Sequence, residues 1–104
     1  MSLENPAITV IIPAYNAEKH LPGCLDSISG QSFTDWELII ADDGSSDKTG
    51  EIADRYAEKD SRIKVIHSIN RGVSASRNAC IDIAQGRYLS FVDADDILDR
   101  KSVV

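Results

Sequence analysis

Short apolar runs alternate with amphipathic stretches along this chain. Residues 7–12 form a continuous run rich in Ile and Val, which predicts a strand buried on both faces, closed by Pro13. Residues 17–30 carry Leu21, Leu25 and Ile28 at helical spacing, and Pro22 suits the first turn of that helix. Residues 36–41 read as a second buried strand. The polar run 42–47 reads as a turn, in which Ser46 or Asp47 can cap the next helix. Ile52, Ala53 and Tyr56 give that helix its apolar face, and Gly50 weakens it slightly. Residues 63–66 predict a third strand and 68–72 a loop. A third helix follows over 73–85, with Ala75, Ala79, Ile83 and Ala84 inward and Gly86 as its C-terminal stop. Residues 87–92 predict a fourth strand, and Ile97 and Leu98 begin a further helical segment.

The order is β-α-β-α-β-α-β. Strands alternating with helices imply parallel pairing and right-handed crossovers, an α/β Rossmann-like sheet. With 104 residues the chain is one small domain, and 42% hydrophobic with 27% charged residues exclude disorder as the default. No apolar run approaches the ~20 residues of a membrane helix, and no secretory signal opens the chain. The pattern stops after an Asp-rich turn, an apolar pair and a short tail, which predicts a truncated fragment, its missing sequence following Val104.

Charge narrows the partners. Lys and Arg number 11 against 17 Asp and Glu, a net charge of −6, which disfavours nucleic acid and anionic lipid. Cys24 and Cys80, far apart in helical patterns, read as reduced core residues in a cytoplasmic setting. Attachment to the inner face of a membrane would need segments outside these residues. A sheet edge left open by truncation would favour a homo-oligomer.

Open parallel sheets bind ligands at the carboxyl ends of their strands. Four turn-forming segments fall there: Pro13, Ala14, Tyr15 and Asn16 after the first strand; Asp42, Asp43, Gly44 and Ser45 after the second; Asn70 to Ser74 after the third; Asp93, Ala94, Asp95 and Asp96 after the fourth. Each is ordinary turn chemistry by itself, and their shared edge points to a common site. Strand alternation puts Asp93 and Asp95 on one side, where a divalent cation relieves their repulsion. Mg²⁺ takes one or two carboxylates and fills its other positions with water and phosphate, so this pair suits a metal–diphosphate site. Ionised Asp42 and Asp43 are acceptors only, suited to a base N–H or a ribose hydroxyl. Tyr15 can flank a base, Arg71 and Arg77 can hold phosphate, and His20 and His67 read as structural or exposed.

Five segments in this order resemble glycosyltransferase family 2: Ile8 to Asn16, Ser29 to Trp36, Asp42 to Asp47, Asn70 to Asn78, and Gly86 to Asp96. The resemblance covers nearly the whole chain. It implies a GT-A type nucleotide-binding fold, a nucleotide-diphospho-sugar donor, usually uridine-linked, a carbohydrate or lipid-linked acceptor, and inversion at the anomeric carbon. It implies that residues 1–104 are the donor-binding part. By matching position, Pro13 and Tyr15, with Ala14 and Asn16, line base and ribose, and Asp43 with Asp42 beside it meets the uracil edge. Arg77 lies near the diphosphate, Asp93 meets ribose or metal, and Asp95 binds Mn²⁺ or Mg²⁺ directly. The family's catalytic base lies well downstream of its metal motif, so the base is expected beyond Val104. Three rivals remain at this level. A sugar nucleotidyltransferase needs a Gly-rich basic loop after the first strand, which Pro13 to Asn16 lacks. An Asp-nucleophile phosphoryl-transfer enzyme needs a Lys after a strand, and only Lys101 near the end offers one. A catalytically inactive nucleotide-binding module would keep the same site.

Overall fold

The computed structural model describes residues 6–69 and 72–94. Four strands and three helices alternate: β1 (Ile8–Ala14), α1 (Leu21–Ser29), β2 (Trp36–Asp43), α2 (Thr49–Lys59), β3 (Ile63–Ser68), α3 (Val73–Ile83) and β4 (Tyr88–Phe91). The strands form one parallel sheet in the order β3-β2-β1-β4. Strand order reverses between β1 and β4, so the crevice used by open α/β sheets opens beside β1. The helical segment expected at Ile97 and Leu98 lies outside the described residues, as do Asn70, Arg71, Asp95 and Asp96.

Alternation along the strands divides the core. Val10 and Ile12 of β1 and Leu38 and Ile40 of β2 pack with Leu21, Cys24, Leu25 and Ile28 of α1 and Ala53 of α2. Ile11, Ile39 and Ala41 face the other way, against Cys80 of α3. The continuous Ile/Val runs exist because both faces are covered. Each fully buried Leu or Ile contributes roughly 1.5–3 kcal/mol. Cys24 and Cys80 are buried thiols that form no disulfide, as the sequence predicts. Burial pushes the Cys80 thiol up to about 11.

Several boundaries differ from the sequence reading. Pro13 does not close β1; it lies within the strand, opposite Ala41. The N–H groups of Tyr88 and Val92 donate to the carbonyls of Ala7 and Ile11, so odd-numbered residues of β1 turn their backbone groups toward β4. The β4 register ends where Phe91 meets Ile11. The N–H that Pro13 lacks therefore points past the last β4 pair, and no ladder bond is lost. Asp42 and Asp43 also belong to the sheet and not to the following turn. They pair with His67 and Ser68 of β3, and both are buried.

Helix α3 ends at Ile83, short of residue 85, and its cap Ala84 is extended. Its buried face runs through Ser76 and Cys80; Ile83 is exposed, and Ala75 and Ala79 are half-buried. Gly86 is no left-handed stop, because among the glycines only Gly44 and Gly72 have positive φ. A Cβ on Gly86 would lie 2.4 Å from the backbone nitrogen of Thr9 and 2.7 Å from the carbonyl carbon of Ile8. Glycine is there so that the chain entering β4 can lie against β1.

A polar tie that the sequence reading did not foresee fixes the same corner. Buried Glu37 accepts from Thr9 Oγ1 at 2.6 Å, from the Gln85 N–H at 2.6 Å and from Lys64 Nζ at 2.9 Å. Thr9 Oγ1 in turn accepts from the Gly86 N–H at 2.8 Å. Burial works against the Glu37 charge, yet the bonds from Thr9, Gln85 and Lys64 outweigh it and hold the carboxyl below its usual range. This tie lies at the amino end of the sheet and leaves the carboxyl edge to other chemistry.

Candidate nucleotide site

At the carboxyl edge the turns after β1 and β2 are laced together. Asn16 sits at φ 49°, a left-handed conformation that Asn tolerates. Its Oδ1 accepts from the Ser46 N–H at 2.8 Å and the Ser46 hydroxyl at 3.3 Å, and its own N–H donates to Ser45 Oγ at 2.9 Å. Asp47 receives the Thr49 N–H at 2.9 Å, the Thr49 hydroxyl at 2.5 Å and the Glu18 N–H at 3.2 Å. These bonds, the one from the Thr49 hydroxyl foremost, hold the Asp47 carboxyl below its usual value. Asp47 therefore serves the start of α2, as the capping signal predicts, from one position outside the cap residue Lys48.

The neighbours Asp42 and Asp43 face opposite sides of the sheet, because successive strand residues do. Asp42 turns toward α2. Its Oδ1 accepts from the Ser45 N–H at 3.1 Å, and its Oδ2 meets His67 Nδ1 at 3.0 Å. His67 Nε2 meets Asp54 Oδ1 at 2.8 Å. A histidine between two carboxylates is favoured in its charged form; Asp54 first, then Asp42, raises its pKa above the usual 6.5. The sequence marks His67 only as structural or exposed. The available signal is the end-to-end alignment of the β2 and β3 runs, which puts His67 opposite Asp42. Gly50 also gains a reason: a Cβ there would lie 2.6 Å from Asp42 Oδ2 and 3.2 Å from His67 Cε1. It admits this ion pair beneath the first turn of α2, rather than merely weakening the helix.

Asp43 turns the other way, toward the start of α3. Its Oδ2 accepts from the Gly72 N–H at 2.9 Å, and Ser68 Oγ donates to its Oδ1 at 3.4 Å. Gly72, at φ 94°, makes the turn that brings this N–H onto the carboxylate. A carboxylate at a helix N-terminus is favoured by the helix dipole. Asp43, Pro13, Ala14, Tyr15 and Ser76 line a narrow cleft of about 50 Å³. Four of the residues named from the sequence are thus brought to one cleft, and Ser76 was missed. Asn16 and Asp42 do not line the cleft; they bond the turn after β2 and His67.

Two further candidates lie near the end of β4. The Arg77 guanidinium lies 5.2 Å over the Phe91 ring, a cation–π contact between exposed side chains. Asp93 is exposed just past β4, and its carbonyl accepts from Cys24 Sγ at 3.5 Å. Asp95, the direct metal ligand expected from the sequence, lies outside the described residues. Among the described residues no three His, Cys, Asp or Glu side chains group as a closed metal site. Among them, too, no helix is long and apolar enough to cross a membrane.

Similarity to other proteins agrees with this edge. Residues 9–103 match the model of glycosyl transferase family 2. The chain is 46% identical over 91 residues to EpsJ of Bacillus subtilis, named an uncharacterized glycosyltransferase, covering 88% of this chain and 26% of that protein. The crystal structure of S. aureus TarS 1–349 in complex with UDP superposes with a TM-score of 0.82 at 33% identity, over 90% of this chain and 29% of that one. The mannosyltransferase PcManGT from Pyrobaculum calidifontis, in complex with GDP-Man and Mn²⁺, gives 0.84 at 27% identity, over 94% and 30%. The chain thus spans little more than a quarter of each of these proteins. A match over residues 9–103, four parallel strands in the same arrangement and a nucleotide-bound neighbour agree: the chain belongs to glycosyl transferase family 2.

Proposed function

We propose that residues 1–104 form the donor-binding part of an inverting glycosyltransferase, which moves a sugar from a UDP-sugar to a hydroxyl of a carbohydrate or lipid-linked acceptor. The observation that carries this reading is Asp43, a buried carboxylate at the base of a cleft lined by Pro13, Ala14 and Tyr15. An acceptor-only group there suits the N3–H of uracil. Adenine would turn the lone pair of N1 toward the same carboxylate and be repelled. Tyr15, half exposed at the mouth, offers its ring to the base or ribose. The complex of TarS with UDP, at 33% identity, favours uridine over the guanosine nucleotide of the more distant mannosyltransferase.

Asp93 fits a divalent cation in one respect: it is an exposed carboxylate just past a strand end, and Mn²⁺ or Mg²⁺ at a diphosphate needs only one or two protein carboxylates. Asp93 and Asp95 would hold the ion. When bound it supplies charge neutralisation to the departing diphosphate. Arg77, over Phe91 near the end of β4, would add a bidentate hydrogen-bond donor to the phosphates on leaving Phe91. The acceptor hydroxyl attacks the anomeric carbon from the face opposite the leaving group, and its proton passes to a carboxylate base not assigned to any described residue. Two buried cysteines that form no disulfide suit a reducing, cytoplasmic setting. Calorimetric titration of the chain with UDP and with ADP, each with Mn²⁺, tests the reading. A saturable UDP site that ADP does not fill is expected, and equal binding or none contradicts it.

A further inference from the structure

Ser76 is the least expected residue of the cleft. It lies one turn into α3, the residue only 4% exposed, and it shares the cleft with Asp43, Pro13, Ala14 and Tyr15. Its hydroxyl oxygen is buried with no hydrogen-bond partner. A helical serine commonly satisfies its hydroxyl by donating to the carbonyl one turn back. Here that does not happen, and a buried unpaired hydroxyl costs folding free energy. Alanine in its place would fill nearly the same volume, keep the helix and remove the cost. The fold therefore gives no reason for a hydroxyl, and the cleft does.

Asp43 is an acceptor and cannot donate to anything. A pyrimidine with a donor N–H beside carbonyl oxygens needs both an acceptor and a donor from the protein. Two residues lining the cleft carry a hydroxyl, Tyr15 and Ser76; Tyr15 is half exposed, and Ser76 is the buried one. Resting on the nucleotide reading above, we infer that Ser76 is a base contact: its Oγ–H donates to a carbonyl oxygen of uracil while Asp43 accepts from the adjacent N3–H. The base enters beside Tyr15, which is half exposed. A two-point contact of this kind fixes the plane and direction of the base, where a single carboxylate would leave it free to pivot.

The test is calorimetric titration of the parent chain and of Ser76→Ala with UDP and Mn²⁺, paired with thermal unfolding of both proteins without ligand. Loss of one neutral hydrogen bond weakens UDP binding about three- to tenfold. The unfolding midpoint of Ser76→Ala is expected to stay level or rise, since an unpaired hydroxyl has been removed. Equal UDP affinity in the two proteins overturns the role of Ser76 and leaves the nucleotide site standing. A lowered midpoint overturns it as well, because it shows that the hydroxyl serves the fold. A parent chain that binds no UDP overturns both readings.

Discussion

Replacing Gly86 with alanine separates two accounts of that residue. If it were a helix stop, glycine would be needed for its left-handed conformation, and Asn would be a tolerable substitute. The structure gives a different reason, since a Cβ would lie 2.4 Å from the Thr9 nitrogen and 2.7 Å from the Ile8 carbonyl carbon. These are backbone atoms of β1, a strand paired on both sides, and they cannot step aside singly. Overpacking of this kind costs about 1–3 kcal/mol. Moving the chain away also stretches the 2.8 Å bond from the Gly86 N–H to Thr9 Oγ1, worth about 0.5–1.5 kcal/mol. The sum, about 1.5–4.5 kcal/mol, lowers the midpoint of a domain this size by roughly 6–36 °C. Differential scanning calorimetry of the parent, Gly86→Ala and Gly86→Asn reads this directly. Both variants are expected to lose comparable stability. An Asn variant as stable as the parent would refute the close-approach argument and restore the helix-stop account.

Two more predictions concern the carboxyl edge. His67 gains its charge from Asp54 and Asp42 in the folded state, so its pKa is raised above 6.5. Its contribution is full below the unfolded value and is lost as pH rises through the folded value. Because His67 is half exposed, the loss is at most about 1 kcal/mol. Urea unfolding of the parent from pH 6 upward should show this decline and His67→Phe should not; matching profiles would remove the ion pair from the account. Asp43→Asn keeps an oxygen for the Gly72 N–H but loses the charge, and UDP affinity should fall about tenfold or more, the worth of a charge-assisted bond. Unchanged affinity by calorimetry would exclude Asp43 as the base acceptor.

The architecture was legible because the apolar runs are long and doubly buried. Ile11 and Ile39 face α3 while Val10 and Leu38 face α1 and α2, so no polar residue interrupts either run. The boundaries were not legible where local chemistry and sheet register disagree. Asp42 and Asp43 are turn formers by composition, yet the ladder to Ala14, His67 and Ser68 keeps them extended. Pro13 signals an end, yet its missing donor falls where β4 no longer pairs. The buried side of α3 is carried by Cys80, which the helical pattern marks, and by Ser76, which no hydrophobic period marks. The partners of Glu37 lie 28, 27 and 48 residues away, and such contacts exist only once the sheet has formed. At the site, the segment pattern located Pro13, Ala14, Tyr15 and Asp43. It could not tell that Asp42 faces away or that Ser76 faces in, because strand phase and helix rotation are set by packing.

Thermal unfolding of the chain with UDP, with and without Mn²⁺, and with ADP as control tests the central claim most directly. A ligand that binds only the folded state adds RT ln(1 + [L]/Kd), about 2.7 kcal/mol at a hundredfold excess over Kd. For a domain of this size that is a rise of roughly 10 °C or more. The account predicts this rise for UDP, larger with Mn²⁺, and little change with ADP. A cooperative transition that UDP does not move, at concentrations that saturate nucleotide sites, would contradict it and leave the cleft at Asp43 as part of the scaffold alone.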